Sequence, residues 1–203
     1  MSREQILASI KANQPALVPL PEIVPPASFS PREVIDRFTS SAIAIGSKVF
    51  EVEGFEDVRN ILREQSLPGR VISSFFEFSD FASASIPDPD PHLLADVELA
   101  ILKAELGVAE NGALWLSEEN MIRRALPFIA QHLAVIVEGR QIVANMHEAY
   151  SSSSCSNPGF GAFISGPSKT ADIEQSLVLG AHGARSMTIF ILNADLGSRL
   201  RRR

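Results

Sequence analysis

Six of the chain's thirteen prolines fall within residues 15–31, at Pro15, Pro19, Pro21, Pro25, Pro26 and Pro31, and no other stretch restricts the backbone so severely. Each proline fixes φ and removes an amide donor, so neither a helix nor a strand runs through the segment. It reads as an extended arm. Ahead of it, Ser2 and Gln5 form a capping box for a short helix with Ile6, Leu7 and Ile10 on one stripe. Behind it, Ser30, Pro31 and Glu33 stand at N-cap, N1 and N3 of a helix bearing Val34, Ile35 and Phe38, with Gly46 as its stop. The chain therefore divides into an N-terminal helix and proline-rich arm over residues 1–29 and a globular domain over residues 30–203. Such an arm is expected to pack on a neighbouring surface or to dimerise, so a homo-oligomer is one expected state.

Within the globular part, apolar runs alternate with helical periodicity. Lys48 to Glu53 reads as a strand, Glu56 to Gln65 as a helix with Val58, Ile61 and Leu62 inward, and Arg70 to Phe75 as a strand after the Pro68-Gly69 turn. Val97 to Lys103, Ala113 to Leu116, Leu133 to Val137 and Met187 to Leu192 read as further strands, and Arg140 to Tyr150 as a helix. The Ser79 to Pro91 stretch, with Pro87, Pro89 and Pro91 among Asp80, Asp88 and Asp90, reads as a surface loop, and the Ser151 to Ser154 tract before Asn157-Pro158-Gly159 as a flexible one. Strands alternating with helices predict an α/β fold with a mainly parallel sheet flanked by helices. Ligands of such sheets bind beyond the carboxyl ends of the strands, so chemistry is expected in the loops that follow strands.

Composition narrows the function. The 203 residues are 45% hydrophobic and 21% charged, which fits a globular core and excludes a disordered or fibrous chain. The 18 Lys and Arg against 24 Asp and Glu give a net charge of −6, and four of those cations, Arg199, Arg201, Arg202 and Arg203, crowd the C-terminus. The rest of the chain is more acidic still, which argues against a nucleic-acid groove. Cys155 is the only cysteine, so this chain supplies no disulfide, zinc knuckle or iron–sulfur cluster by itself. No apolar run has the length of a signal peptide core or a transmembrane helix, and a cytoplasmic location is the expectation.

Three segments carry residues suited to chemistry. In Ser165-Gly166-Pro167-Ser168-Lys169-Thr170-Ala171-Asp172-Ile173-Glu174, an apolar run feeds a turn that reads as the start of a helix. Its amides and Lys169 suit a phosphate or carboxylate. Ordinary caps, with Asp172 and Glu174 complementing the helix dipole and Lys169 solvated, explain the same residues equally well. Gly161 and Gly166 have the spacing of a nucleotide-binding P-loop, but Pro167 stands where its lysine belongs. Asn111-Gly112 marks a hairpin turn, and Glu110 beside it, if desolvated by its apolar flanks, suits a base or nucleophile. In Gly180-Ala181-His182-Gly183, the histidine is placed either to move a proton or to hold a loop carbonyl. His92, His132 and His147 lack the mutual spacing of a metal site, and no metal is expected.

Taken together, the N-terminal helix and arm, Gly-Val-Ala-Glu-Asn-Gly at 107–112, Leu126-Pro127 ahead of His132, and Ser165 to Glu174 running into Leu177-Val-Leu-Gly-Ala-His-Gly183 resemble the LUD domain of the lactate utilization protein C family. The resemblance covers nearly the whole chain and departs at position 111, where asparagine stands in place of an expected threonine. It implies a fold related to ribose-phosphate isomerases, glucosamine-phosphate deaminases and CoA transferases. It also implies a role as subunit or accessory beside iron–sulfur partner proteins in oxidising L-lactate to pyruvate, with the clusters on those partners and no cofactor in this chain. Glu110-Asn111-Gly112 is also similar to the Glu-Asn-Gly of CoA transferases, whose glutamate forms an acyl thioester. A stand-alone transferase or isomerase for CoA esters or phosphosugars using Glu110 is therefore the alternative, and a small-anion binding protein a third. The expected site comprises Glu110 and His182 as proton-handling groups, with Gly166, Ser168, Lys169, Thr170, Asp172 and Gly183 around a small carboxylate or phosphate.

Overall fold

A computed structural model describes residues 2–19, 21, 28–65, 68–83, 90–152, 155, 159–171, 177–180 and 182–192. Helix α1 (Arg3–Ala12) is capped by Ser2 and Gln5 as its sequence predicts, and it buries none of its side chains. Helix α2 (Pro31–Ala44) carries the predicted box from Ser30 to Glu33 and buries Val34, Phe38 and Ala42. It turns directly into strand β1 (Lys48–Val52) and lies antiparallel to it, since Arg32 in the first turn pairs with Glu51 near the far end of β1 at 2.7 Å.

Helix α3 (Phe55–Glu64) and strand β2 (Arg70–Ser73) follow, then β3 (Val97–Lys103), β6 (His132–Glu138) and β11 (Ser186–Leu192). These strands form one five-stranded sheet in the order β1-β11-β6-β3-β2, and every pairing in it is parallel. The α/β class with a mainly parallel sheet is thus as the alternation predicts. The central strands are apolar on both sides because both faces are covered. One face, with Val135, Val137, Ile189 and Ile191, packs on α2. The other, with Ala134, Ile136 and Phe190, packs on Val58 and Leu62 of α3 and on Phe78. Phe55, Phe75 and Phe81 surround Phe78 with ring centroids 5.7, 6.0 and 5.8 Å away.

A second sheet closes the α2 face. Strands β4 (Leu106–Val108), β5 (Ala113–Ser117), β7 (Ile142–Val143) and β8 (Gly161–Ile164) pair in the order β7-β4-β5-β8. Between β5 and β6 lie the short helices α4 (Glu118–Met121) and α5 (Leu126–Ile129). The helix expected over Arg140 to Tyr150 is shorter than that. A single 3-10 turn, Gly139–Gln141, gives way to β7, where Ile142 and Val143 pair in parallel with Gly107 and Val108. Two β-branched residues at an open sheet edge gain more from that pairing than from extending a helix. Helix α6 (Met146–Ser151) then starts at the Asn145 cap, whose side chain accepts from the Glu148 amide. Much of the acidic proline loop and of the serine tract lies outside the described residues.

Helix α2 is the wedge between the two sheets, and Phe38 at its centre is fully buried against Gly107 of β4. Replacing Phe38 with alanine is expected to lower the free energy of unfolding by about 3–5 kcal/mol, read from urea titration. Leu17, exposed at 102%, is expected to tolerate alanine within about 0.5 kcal/mol.

Candidate functional site

Progress along α2 shows where the candidate residues gather. Ile35 lies against Gly139 at the carboxyl edge of the parallel sheet, Phe38 against Gly107, Ala42 against Gly112 and Ile45 against Gly166. Strand β4 therefore runs back toward the amino edge of the parallel sheet, and its hairpin turn sits beside the last turn of α2. The turn is tied there by Ser41, whose hydroxyl donates to the Ala109 carbonyl at 2.8 Å. Gly112 adopts φ +64°, and a Cβ on it would come within 2.8 Å of the Ala42 backbone. Asn111 stabilises the turn as its sequence predicts, its side-chain oxygen accepting from the Ala113 amide at 3.1 Å.

The 165–169 segment leaves β8 and joins this turn. Ser165 donates its hydroxyl to the Asn111 carbonyl at 2.8 Å, and Gly166 passes against the Ile45 carbonyl. Over Lys169–Ala171 the expected helix start gives way to a strand, β9, which pairs antiparallel with β10 (Leu177–Leu179), Thr170 lying opposite Val178. Over these three residues, strand pairing with the apolar Leu177-Val178-Leu179 outweighs the capping tendency of Ser168 and Thr170. The Ser168 amide is consequently engaged, donating to the Ala184 carbonyl at 2.9 Å, while the Ser168 carbonyl accepts from the Gly180 amide at 3.1 Å. A helix-terminus cradle of free amides is thus replaced by a hairpin root.

That root brings the third segment into place. Gly183 lies against Ser168, where a Cβ would stand 3.2 Å from the Ser168 Cβ, and His182 next to it is exposed. The exposed Lys169 places its ammonium 3.5 Å from the position a Cβ would take on Gly46, just past the end of α2. A cation there complements the negative end of the α2 dipole. Gly166, Ser168, Lys169, His182 and Gly183 thus share one rim with the 109–112 turn. Since β1 starts at Lys48 and β11 at Ser186, this rim lies at the amino edge of the parallel sheet, opposite the edge that the sequence reading favours.

Glu110 occupies the same turn but faces elsewhere. It is exposed, so the desolvation expected from its apolar flanks is absent, and its carboxylate accepts from the Met146 amide at the start of α6 at 3.0 Å. Among the described residues, no hydrogen bond or ion pair joins Glu110 to His182 or Lys169. The side chain of Thr170 and all of Asp172 lie outside the described residues.

The carboxyl edge holds a polar cluster that sequence reading did not select. Glu105, just past β3, accepts from the Ser117 hydroxyl and from the Asn120 amide, the latter at 2.8 Å. Burial pushes the nearby Cys155 thiol up; a hydrogen bond with Ser152 opposes the shift and Glu105 adds to it. The thiol is therefore protonated at neutral pH and a poor nucleophile. The β4–β5 hairpin register, centred on the Asn111-Gly112 turn, brings Glu105 and Ser117 together, so counting outward from that turn is the sequence signal for the pair. No helix among the described residues is long and apolar enough to cross a membrane, and no group of three or more metal-ligating side chains occurs among them.

The model of the LUD domain matches residues 92–192, a span that holds every candidate residue named above. Residues 92–192 of the chain form a LUD domain. It is 28% identical over 149 residues to the lactate utilization protein C of Bacillus pumilus (strain SAFR-032), covering 70% of this chain and 58% of that protein. To the lactate utilization protein C of Exiguobacterium sp. (strain ATCC BAA-1283 / AT1b) it is 24% identical over 186 residues, covering 82% of this chain and 80% of that one. The chain spans about half the length of several curated relatives it matches. A crystal structure of a DUF162 family protein from Deinococcus radiodurans has the same fold, with a TM-score of 0.63 at 17% identity over 81% of this chain and 99% of that one.

The LUD hairpin turn supplies a stability test. Gly112→Ala is expected to cost about 1–2 kcal/mol for its left-handed backbone alone, with the Ala42 clash adding to it. Gly159→Ala, with open space around its Cβ, is the matched control and is expected to leave the thermal midpoint unchanged.

Proposed function

We propose that this LUD chain serves lactate utilization, as a subunit or accessory protein of an iron–sulfur-dependent system that oxidises L-lactate to pyruvate. The observation that carries the reading is the domain itself: the segment from 92 to 192 that builds the amino-edge rim is the segment matched by the LUD model, and relatives bearing the name lactate utilization protein C align with the chain. Oxidising lactate removes two electrons and two protons, so an acceptor has to take the electrons. The chain offers one thiol, and an iron–sulfur cluster needs several thiolates, so the clusters are assigned to partner proteins. The part assigned to this chain is to present the substrate: Lys169 holds the carboxylate at the rim, and His182, exposed next to Gly183 on the same rim, handles a proton.

Deleting the gene is expected to abolish growth on L-lactate in a strain without a second lactate oxidase, with rescue by the intact gene. Normal growth of the deletion strain overturns the reading. The purified chain is expected to leave lactate unoxidised until iron–sulfur partners are added. An acyl thioester trapped at Glu110 with a CoA ester would instead favour the transferase alternative. Lys169→Ala is expected to weaken carboxylate binding by about 1.5–3 kcal/mol in calorimetric titration with L-lactate or pyruvate, with the thermal midpoint preserved because the side chain is exposed. Unchanged affinity removes Lys169 from the site.

A further inference from the structure

Three side chains that the lactate reading does not use meet on the opposite face of the parallel sheet. Ser186 and His132 open strands β11 and β6 and stand directly across from each other in the pairing register. Alternation places both on the face that continues through Ala134, Ile136 and Phe190, toward α3. Ala184, at the root of the lactate rim, belongs to the core of the other face.

The Ser186 hydroxyl lies 2.7 Å from His132 Nδ1, and Glu98 Oε1 lies 3.5 Å from His132 Nε2. Both the His132 and Glu98 side chains are about three-quarters buried, at 24% and 26% exposure, and Ser186 is half-buried. The adjacent cation, Arg70, is engaged by Asp96 and by the Leu93 carbonyl, at 3.0 and 2.9 Å, which leaves the Glu98 carboxylate to the imidazole. Gly69 makes room for it: with φ +148°, a Cβ on Gly69 would stand 2.6 Å from the Glu98 Cβ.

We propose that Ser186, His132 and Glu98 form a nucleophile, base and orienting carboxylate that accept an acyl group from a small activated ester or thioester. With its proton on Nε2 and facing Glu98, His132 presents the Nδ1 lone pair to the serine hydroxyl. The 3.5 Å contact to Glu98 is long for a hydrogen bond to a neutral ring and strengthens when the ring becomes an imidazolium, which is the moment the reaction needs it. Ser186 Oγ attacks the carbonyl carbon as its proton passes to Nδ1. The bond from that carbon to the leaving oxygen or sulfur breaks, and the leaving group takes the proton from Nδ1. Water then attacks the acyl-serine, giving its proton to Nδ1, and Ser186 recovers a proton from Nδ1 as the carboxylic acid departs. The three groups are the constellation in which an activated nucleophile is recognised by geometry.

The test is an alkyl fluorophosphonate probe on the full chain, with the labelled residue mapped by mass spectrometry and rates followed over time. Ser186 is expected to become phosphonylated in the folded protein, and Ser186→Ala to remove that label. His132→Ala is expected to slow labelling by about 100-fold or more, and Glu98→Gln by a smaller factor, with circular dichroism confirming that each variant folds. A folded wild-type chain left unlabelled at Ser186 overturns the proposal, and so does a labelling rate that His132→Ala leaves unchanged. Where His132→Ala unfolds the chain, His132→Gln replaces it under the same criterion. Growth on lactate is a separate readout, so failure here leaves the lactate reading standing.

Discussion

The rest of the molecule depends on the close packing of α2 between the two sheets. Its first turn is fastened to the far end of β1 through Arg32 and Glu51, and its apolar stripe, Val34, Phe38 and Ala42, is driven into the core. Burying three such side chains stabilises the helix far more than propensity does over a length of this order. Because the helix is so near the second sheet, small residues line its path, and Gly112 meets the Ala42 backbone where no side chain fits. The position of the 109–112 turn, and through Ser165 that of the 165–169 segment, follows from that contact.

This packing explains why the two edges of the parallel sheet differ. At the amino edge, Lys169 stands beside Gly46 at the end of α2, where its charge complements the helix dipole. The segments that converge there are tied by backbone bonds of Ser168 with Ala184 and Gly180 and by the hydroxyls of Ser41 and Ser165, while Lys169 and His182 are exposed. An exposed lysine and histidine on a stiff support suit recognition of a small carboxylate. At the carboxyl edge, side chains bond to one another, with Glu105 receiving both Ser117 and Asn120, and the half-buried Cys155 stays protonated beside them.

Much of the fold was legible because its signals are local. The capping boxes of Ser2 and Ser30, the β-branched and leucine-rich runs of β3, β6 and β11, and the Asn111-Gly112 turn each depend on residues within a few positions of one another. Sequence expectation and structure diverge where local and distant preferences compete. Ser168 and Thr170 have the chemistry of a helix cap, and Ile142-Val143 sits in a helical pattern, yet each segment found a strand partner that its own sequence does not name. Glu110 looked shielded between apolar neighbours, but a turn projects its middle residues outward whatever flanks them.

By itself the sequence determined the α/β alternation, the start of α2 and the hairpin turn, since short-range sterics, capping and hydrophobic period decide these, and it carried the family as a pattern of motifs. Only the tertiary structure decided which groups meet. Asn111 and Ser165 are 54 residues apart, as are His132 and Ser186, and each pair is joined by register between strands rather than by spacing along the chain. Register is fixed by burying whole faces of a sheet at once, because a slip of one residue turns every side chain to the wrong side. No short window of sequence contains that constraint, so the edge on which the rim lies, and the meeting of a serine, a histidine and a glutamate on one face, belong to the fold alone.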